Sequence, residues 1–150
     1  MVTRRAGADD LPALTDVFVR CFNAPPLSDG WTMETAARKL REIHDTPGFL
    51  GVVAEEDGRV IGFALGNLEQ WISCPHYFLR EMCVEPEHQG AGVGTCLLEA
   101  LLRDLEPLGV QAVYLLTTRG TPAVEFYRKH GFEVHEGTLV FLKALDGPGA

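Results

Sequence analysis

Apolar residues recur along the chain in two rhythms, and the switch between them marks the predicted elements. Between Asp9 and Phe22, Leu11, Leu14, Phe18 and Phe22 fall three and four apart, which predicts a helix with Asp9 or Asp10 near its cap. Thr32–His44 reads as a second helix, with Thr32 as N-cap and a stripe of Met33, Ala37, Leu40 and His44. NAPPLSDG, between them, is a loop by composition. The rhythm then turns extended. GFLGVVAEE and VIGFALGNLE flank an Asp57-Gly58 turn and predict a hairpin. YFLREMCV is a further strand, ended by Pro86. Helical spacing returns with Val93, Leu97, Leu101 and Leu105, followed by the apolar run VQAVYLLT, a buried-looking strand. Pro122 suits the first turn of a helix running to His130, and Gly131 suits its C-terminal cap. FEV and TLVFLKAL close the chain as strands, and Met1–Arg5 reads as a short opening strand. The predicted order is βααβββαβαββ, an α/β domain around a mixed central sheet flanked by helices. Its expected bounds are 1–145, with 146–150 as a flexible tail.

Composition narrows the function classes. The chain has 150 residues, enough for one domain with a sizeable core. A net charge of −8 disfavours nucleic acid or an anionic membrane as the main partner and suits a cationic ligand. Cys21, Cys74, Cys83 and Cys96 are scattered without a C-x-x-C pair, so neither a zinc site nor a disulfide framework is expected. No metal is expected to take part. The N-terminus lacks an apolar signal core and no apolar run reaches membrane-spanning length, which predicts a reduced, soluble, cytoplasmic protein.

The chemistry is concentrated in EPEHQGAGVGTCLLEALLRDL, where Gly90, Gly92 and Gly94 alternate between a strand and a helix. A phosphate-binding P-loop would need a lysine after the last glycine, and Thr95 stands there. A dinucleotide fingerprint would need different glycine spacing and an acidic residue ending the next strand, which here ends in Thr117 and Thr118. What remains is a turn whose backbone N–H groups, with the helix N-terminus, form an anion cradle, or a turn with no ligand at all.

Neighbouring residues favour the cradle. CVEPEHQGAGVGTCLLEALL resembles the acetyl-coenzyme A motif of the GNAT superfamily of N-acetyltransferases, V-x-P-x-x-[QR]-x-x-G-[IV]-[GA], through Val84, Pro86, Gln89, Gly92, Val93 and Gly94. AVEFYRKHGF is similar to the family's A-x-x-x-Y-x-x-x-G-F through Ala123, Tyr127, Gly131 and Phe132. LREMCVEPEHQG and YLLTTRGTPAVEFYRKHGF are similar to bacterial aminoglycoside 6'-acetyltransferase-like proteins. One departure is Gly120, where relatives often carry Asn.

The resemblance implies a GNAT fold and acetyl transfer from acetyl-CoA to a primary amine, with a small cationic amine or aminosugar favoured and a protein amine left open. It implies that the main chain of Met82, Cys83 and Val84 meets the pantetheine and thioester. The amides of Gln89, Gly90, Ala91, Gly92, Val93, Gly94 and Thr95 would hold the pyrophosphate. Tyr127 falls where the family's general acid resides. For the base, Glu81 stands close to the expected acyl group and Glu69 is the other candidate. Trp31 and Trp71 lie in segments that rim the acceptor pocket. Cys83 is read as a packing residue rather than a nucleophile. A homodimer is compatible with the resemblance, and a non-catalytic acyl-CoA sensor or partner-binding module is the alternative from another class.

Overall fold

The computed structural model describes residues 1–146. The chain divides into two compact units, Met1–Leu115 and Leu116–Ala150.

The first unit is built on five strands in the order β1-β2-β3-β4-β5. They are β1 (Val2–Arg5), β2 (Phe49–Glu56), β3 (Arg59–Gln70), β4 (Pro75–Val84) and β5 (Ala112–Tyr114). The first four pair antiparallel and β5 joins β4 in parallel, so the sheet is mixed as expected. Asp57 and Gly58 both take positive φ at the β2–β3 turn, the backbone twist that a two-residue hairpin requires. Helices α1 (Leu11–Asn23) and α2 (Met33–His44) pack together and bury Leu14, Phe18, Ala36, Leu40 and Ile43 against Val53, Phe63 and Leu65 of the sheet. Helix α3 (Val93–Leu105) packs on β2 and β3 with Val93, Leu97, Leu101 and Leu105 buried, as their spacing predicts.

Thr32 caps α2, its hydroxyl accepting from the Thr35 N–H at 3.0 Å. The buried stripe of that helix differs from the expected one. Ala36, Leu40 and Ile43 face the core, whereas Met33 and Ala37 are exposed. Both stripes share Leu40 and both obey helical spacing, so periodicity alone did not separate them. Asp10 also acts otherwise than as a simple cap: its carboxylate accepts from the Gly7 N–H at 2.8 Å and pairs with Arg4.

β5 is shorter and more exposed than VQAVYLLT suggests. Its ladder with β4 covers His76–Phe78 against Ala112–Tyr114 and ends there. A bulge interrupts the other side of β4: Leu65 faces Glu81 while Gly66 faces Leu79, leaving Arg80 as the extra residue. Gly66 makes the bulge possible, because a Cβ there would lie 2.0 Å from the Phe78 carbonyl oxygen.

The second unit contains α4 (Pro122–Lys129), with Pro122 in its first turn. The helix ends as predicted. Gly131 takes φ +88, its N–H donates to the Arg128 carbonyl, and the Phe132 N–H donates to the Tyr127 carbonyl. That is a Schellman cap, completed by the Tyr127 and Phe132 rings 5.4 Å apart. The element order thus follows expectation through α4. The two closing strands do not form among the described residues. FEV and TLVFLKAL take up no strand pairing among the described residues, and an unpaired strand is not stable in water. Phe141 and Leu142 are 90% and 88% exposed. The expected tail, apart from Asp146, lies outside the described residues.

Candidate active site

The C-terminal half of β4 leads directly into the glycine loop. The Glu85 N–H donates to the Ile61 carbonyl at 2.8 Å, which fixes the phase of the β3–β4 ladder. By antiparallel alternation, the peptide groups of Cys83 and Glu81 turn toward β3 and those of Val84 and Met82 turn toward the opposite edge. That edge carries no ladder beyond Phe78. The Val84 carbonyl accepts there from the Gln89 side chain at 3.0 Å and the Cys21 thiol at 2.9 Å. Of the three expected main-chain contacts, Met82 and Val84 therefore face the open edge and Cys83 does not.

After Val84 the chain makes one 3-10 turn, Pro86–His88, and then the loop. Gly90 and Gly92 take φ of +81 and +85, a region that L side chains adopt only at a cost. A Cβ at either would meet nothing within 4 Å, so the requirement is conformational and the space over the loop is open. Gly92 is the N-cap of α3, and the first intrahelical bond is Cys96 N–H to the Gly92 carbonyl. The N–H groups of Val93 and Gly94 thus point out along the helix axis, at the positive end of its dipole. Val93 is buried by its side chain while its amide stands at the helix start. Ala91 lies between the two left-handed glycines. Gln89 gives a side-chain N–H to the Val84 carbonyl and its main-chain N–H to the Pro86 carbonyl at 3.3 Å.

Glu85, which sequence reading passed over, anchors this loop. Its carboxylate is fully buried and is gripped by Arg59 at 2.7 and 2.8 Å and by Arg20 at 2.6 Å. Burial pushes its carboxyl up, but the Arg59 and Arg20 hydrogen bonds outweigh that and hold it at about 2. The spacing of Arg20, Arg59 and Glu85 in sequence carries no signal; only the fold brings them together.

Glu81 lies on the α1–α2 side of the sheet. Its carboxylate pairs with Lys39 at 3.3 Å rather than with Arg80, whose guanidinium reaches Thr46 at 3.4 Å. Burial pushes the Glu81 carboxyl above its ordinary value, and Lys39 and Arg80 offset this only in part. Trp31 belongs to the same cluster, with Lys39 Nζ 5.8 Å from its ring centroid. Cys83 packs against this core, and burial together with the Cys21 thiol pushes its own thiol well up. A protonated, packed thiol agrees with a structural role.

Glu69 and Trp71 stand elsewhere. Glu69 is four residues along β3 from Leu65, the partner of Glu81, which is roughly 13 Å of strand. Its carboxylate accepts from the Tyr114 hydroxyl at 2.6 Å, and burial with this bond pushes the Tyr114 phenol up to about 12. Trp71 stacks on His76 at 4.8 Å and is exposed. Trp31 and Glu81 are therefore brought together, and Glu69 and Trp71 are not brought to them.

In the second unit, Tyr127 lies in the last turn of α4, between Phe126 and Phe132. Gly120 takes φ +78. This is the left-handed conformation in which Gly and Asn are the two favoured residues, so the departure from the family's Asn preserves the backbone.

Residues 11–132 match the Acetyltransferase (GNAT) family. A mycothiol acetyltransferase of Pseudarthrobacter chlorophenolicus is 37% identical over 118 residues, covering 76% of this chain and 36% of that protein. The L-2,4-diaminobutyric acid acetyltransferase of Nocardia farcinica is 39% identical over 79 residues, covering 53% and 40%. The chain thus spans well under half the length of these curated relatives. Among solved structures, an aminoglycoside acetyltransferase from an uncultured soil metagenomic sample, in complex with trehalose, matches with TM-score 0.74 at 20% identity. It covers 97% of this chain and 96% of that one. Aminoglycoside antibiotic 6'-N-acetyltransferase from Acinetobacter haemolyticus matches with TM-score 0.75 at 16% identity, covering 97% and 100%. These two likenesses concern the fold. By its match over 11–132, the chain belongs to the acetyltransferase (GNAT) family.

Proposed function

We propose that residues 1–145 form an N-acetyltransferase domain that moves an acetyl group from acetyl-CoA to a primary amine by direct attack. The observation that carries this reading is the loop geometry. Left-handed Gly90 and Gly92 deliver the start of α3 beside the open edge of β4, within the span that matches the family. Acetyl-CoA would supply the activated acyl group as a thioester. The peptide groups of Met82 and the N–H of Val84 would bind its pantetheine arm as an added strand, the Val84 carbonyl being taken by Gln89 and Cys21. The amides from Gln89 to Thr95 would take the pyrophosphate.

A primary amine near pKa ~10 is mostly protonated at neutral pH and must lose a proton before it attacks. Glu81 is the base in this reading: half-buried, with its carboxyl raised above its ordinary value, and paired with the Lys39 ammonium that lies over the Trp31 ring. Tyr127 is assigned as the general acid for the departing thiol from its place in the motif. The acidic cluster of Glu81 and Asp29 near Trp31 supports a small cationic amine or aminosugar as acceptor. The names of the relatives, acetyltransferases for mycothiol, diaminobutyric acid and aminoglycosides, support acetyl transfer and leave the acceptor open.

Thiol release from acetyl-CoA against polyamines, aminoglycosides, amino acids and short peptides tests the reading. Turnover on one class, reduced in Glu81→Gln while acetyl-CoA binding persists, is expected. Binding without turnover on any amine would favour the sensor alternative.

A further inference from the structure

The Glu81 carboxylate already holds an ammonium. Lys39, which projects from α2, places Nζ 3.3 Å from Glu81 Oε1 and 5.8 Å from the centroid of the Trp31 ring. Trp31 is held at its backbone, its ring edge and its indole nitrogen. Asn23 accepts from its N–H at 2.7 Å and donates to its carbonyl at 2.8 Å, and Phe18 meets its ring edge-on at 5.0 Å. Its indole N–H donates to Asp29 at 3.3 Å. A rigid aromatic face, a mostly buried carboxylate and a second carboxylate nearby are the groups that recognise a primary alkylammonium. Here they surround one that belongs to the protein.

We propose that Lys39 is a resident competitor: its ammonium fills the acceptor-amine subsite, the acceptor binds by displacing it, and Lys39 thereby selects which amines are accepted. The inference rests on the reading of Glu81 as the acceptor-facing carboxylate. The Lys39 side chain is one-third exposed (33%), so it can swing into water without crossing the core. At 3.3 Å, and with its lysine end partly in water, the pair with Glu81 can open without unpacking the helix. A simple alkylamine, however, offers nothing that Lys39 does not, and it must compete with a tethered group at an effective concentration on the order of millimolar. An acceptor that brings further contacts, through a second amine or sugar hydroxyls, overcomes that competition. Lys39 thus discriminates against monoamines and in favour of polyfunctional ones.

The n-butylammonium ion is the free analogue of the lysine side chain and serves as the probe. With Trp71→Phe in the background, Trp31 is the single tryptophan of the two and reports binding by its fluorescence. Lys39→Ala keeps a good helix former in α2. At constant ionic strength, n-butylammonium is expected to bind Lys39→Ala roughly tenfold more tightly than the parent, the gain being lost in Lys39→Ala/Glu81→Gln. Equal affinity with and without Lys39, or a gain that survives Glu81→Gln, would overturn the proposal. Calorimetry with acetyl-CoA on the same proteins separates the two levels. If acetyl-CoA binds and the butylammonium gain is absent, the competitor role fails alone. If the parent does not bind acetyl-CoA, the transferase reading fails and takes the acceptor role with it.

Discussion

Arg59 Nη2 lies 2.7 Å from Glu85 Oε1, and this pair ties the end of the β2–β3 hairpin to the residue that opens the glycine loop. Arg20 of α1 grips the other oxygen of the same carboxylate at 2.6 Å. Three distant parts of the chain thus meet on one fully buried acid. Glu85→Gln is expected to lower unfolding stability at neutral pH by about 2 kcal/mol, because a charged hydrogen-bond acceptor is lost where two guanidinium groups converge.

The pH dependence of that difference follows from its sign. Glu85 is held at about 2 against an ordinary 4.5, so its contribution is complete above the unfolded value and fades as pH falls from 4.5 toward 2. Denaturant unfolding of wild type and Glu85→Gln across this range is expected to show the gap closing. A gap independent of pH would mean that the carboxylate charge does not carry the effect.

Glu81 is shifted the other way. Burial raises it, so the acidic limb of kcat/KM is expected above the ordinary value of a glutamate, with activity lost below it as the proposed base is protonated. Lys39 pulls the Glu81 carboxyl down, so Lys39→Ala should move the limb to higher pH. Asp29, which raises it, and Arg80, which lowers it, stay in place in that variant. An unmoved limb would separate Glu81 from the titration.

Gly66 tests the bulge that sets Glu81. A methyl group there would collide with the Phe78 carbonyl at 2.0 Å and the Tyr77 ring at 2.8 Å. Gly66→Ala should destabilise the protein by about 3 kcal/mol and impair turnover more than acetyl-CoA binding.

Tyr127 has a structural duty besides its proposed chemical one, since its ring packs on Phe132 across the helix cap. Tyr127→Phe keeps that ring. The variant should retain the thermal stability of wild type while kcat falls about 100-fold with little change in acetyl-CoA affinity. Unchanged kcat would reduce Tyr127 to a helix-cap residue.

The legible parts of this chain are those whose physics is local. Asp57-Gly58 specifies its hairpin, Thr32 its cap and Gly131 its helix end from a few residues each. The glycine loop was legible for the same reason: φ values at Gly90 and Gly92 are demands of single residues. What stayed hidden depends on pairing across the chain. Lys39 on α2 meets Glu81 on β4, and Arg20 meets Glu85, at separations where sequence carries no periodic signal. TLVFLKAL shows the converse. Its composition reads as a strand, yet strand formation requires a partner that composition does not supply.

The proposed acetyl-CoA site depends on left-handed glycines that aim the start of α3 at the pyrophosphate. Calorimetric titration of acetyl-CoA into wild type and Gly92→Val is the decisive measurement. The variant places a β-branched residue at φ +85, where it must distort the turn. One saturable site per chain is expected in wild type, with at least a roughly tenfold loss of affinity in the variant. Equal binding by the two proteins, or no binding by wild type, would contradict it.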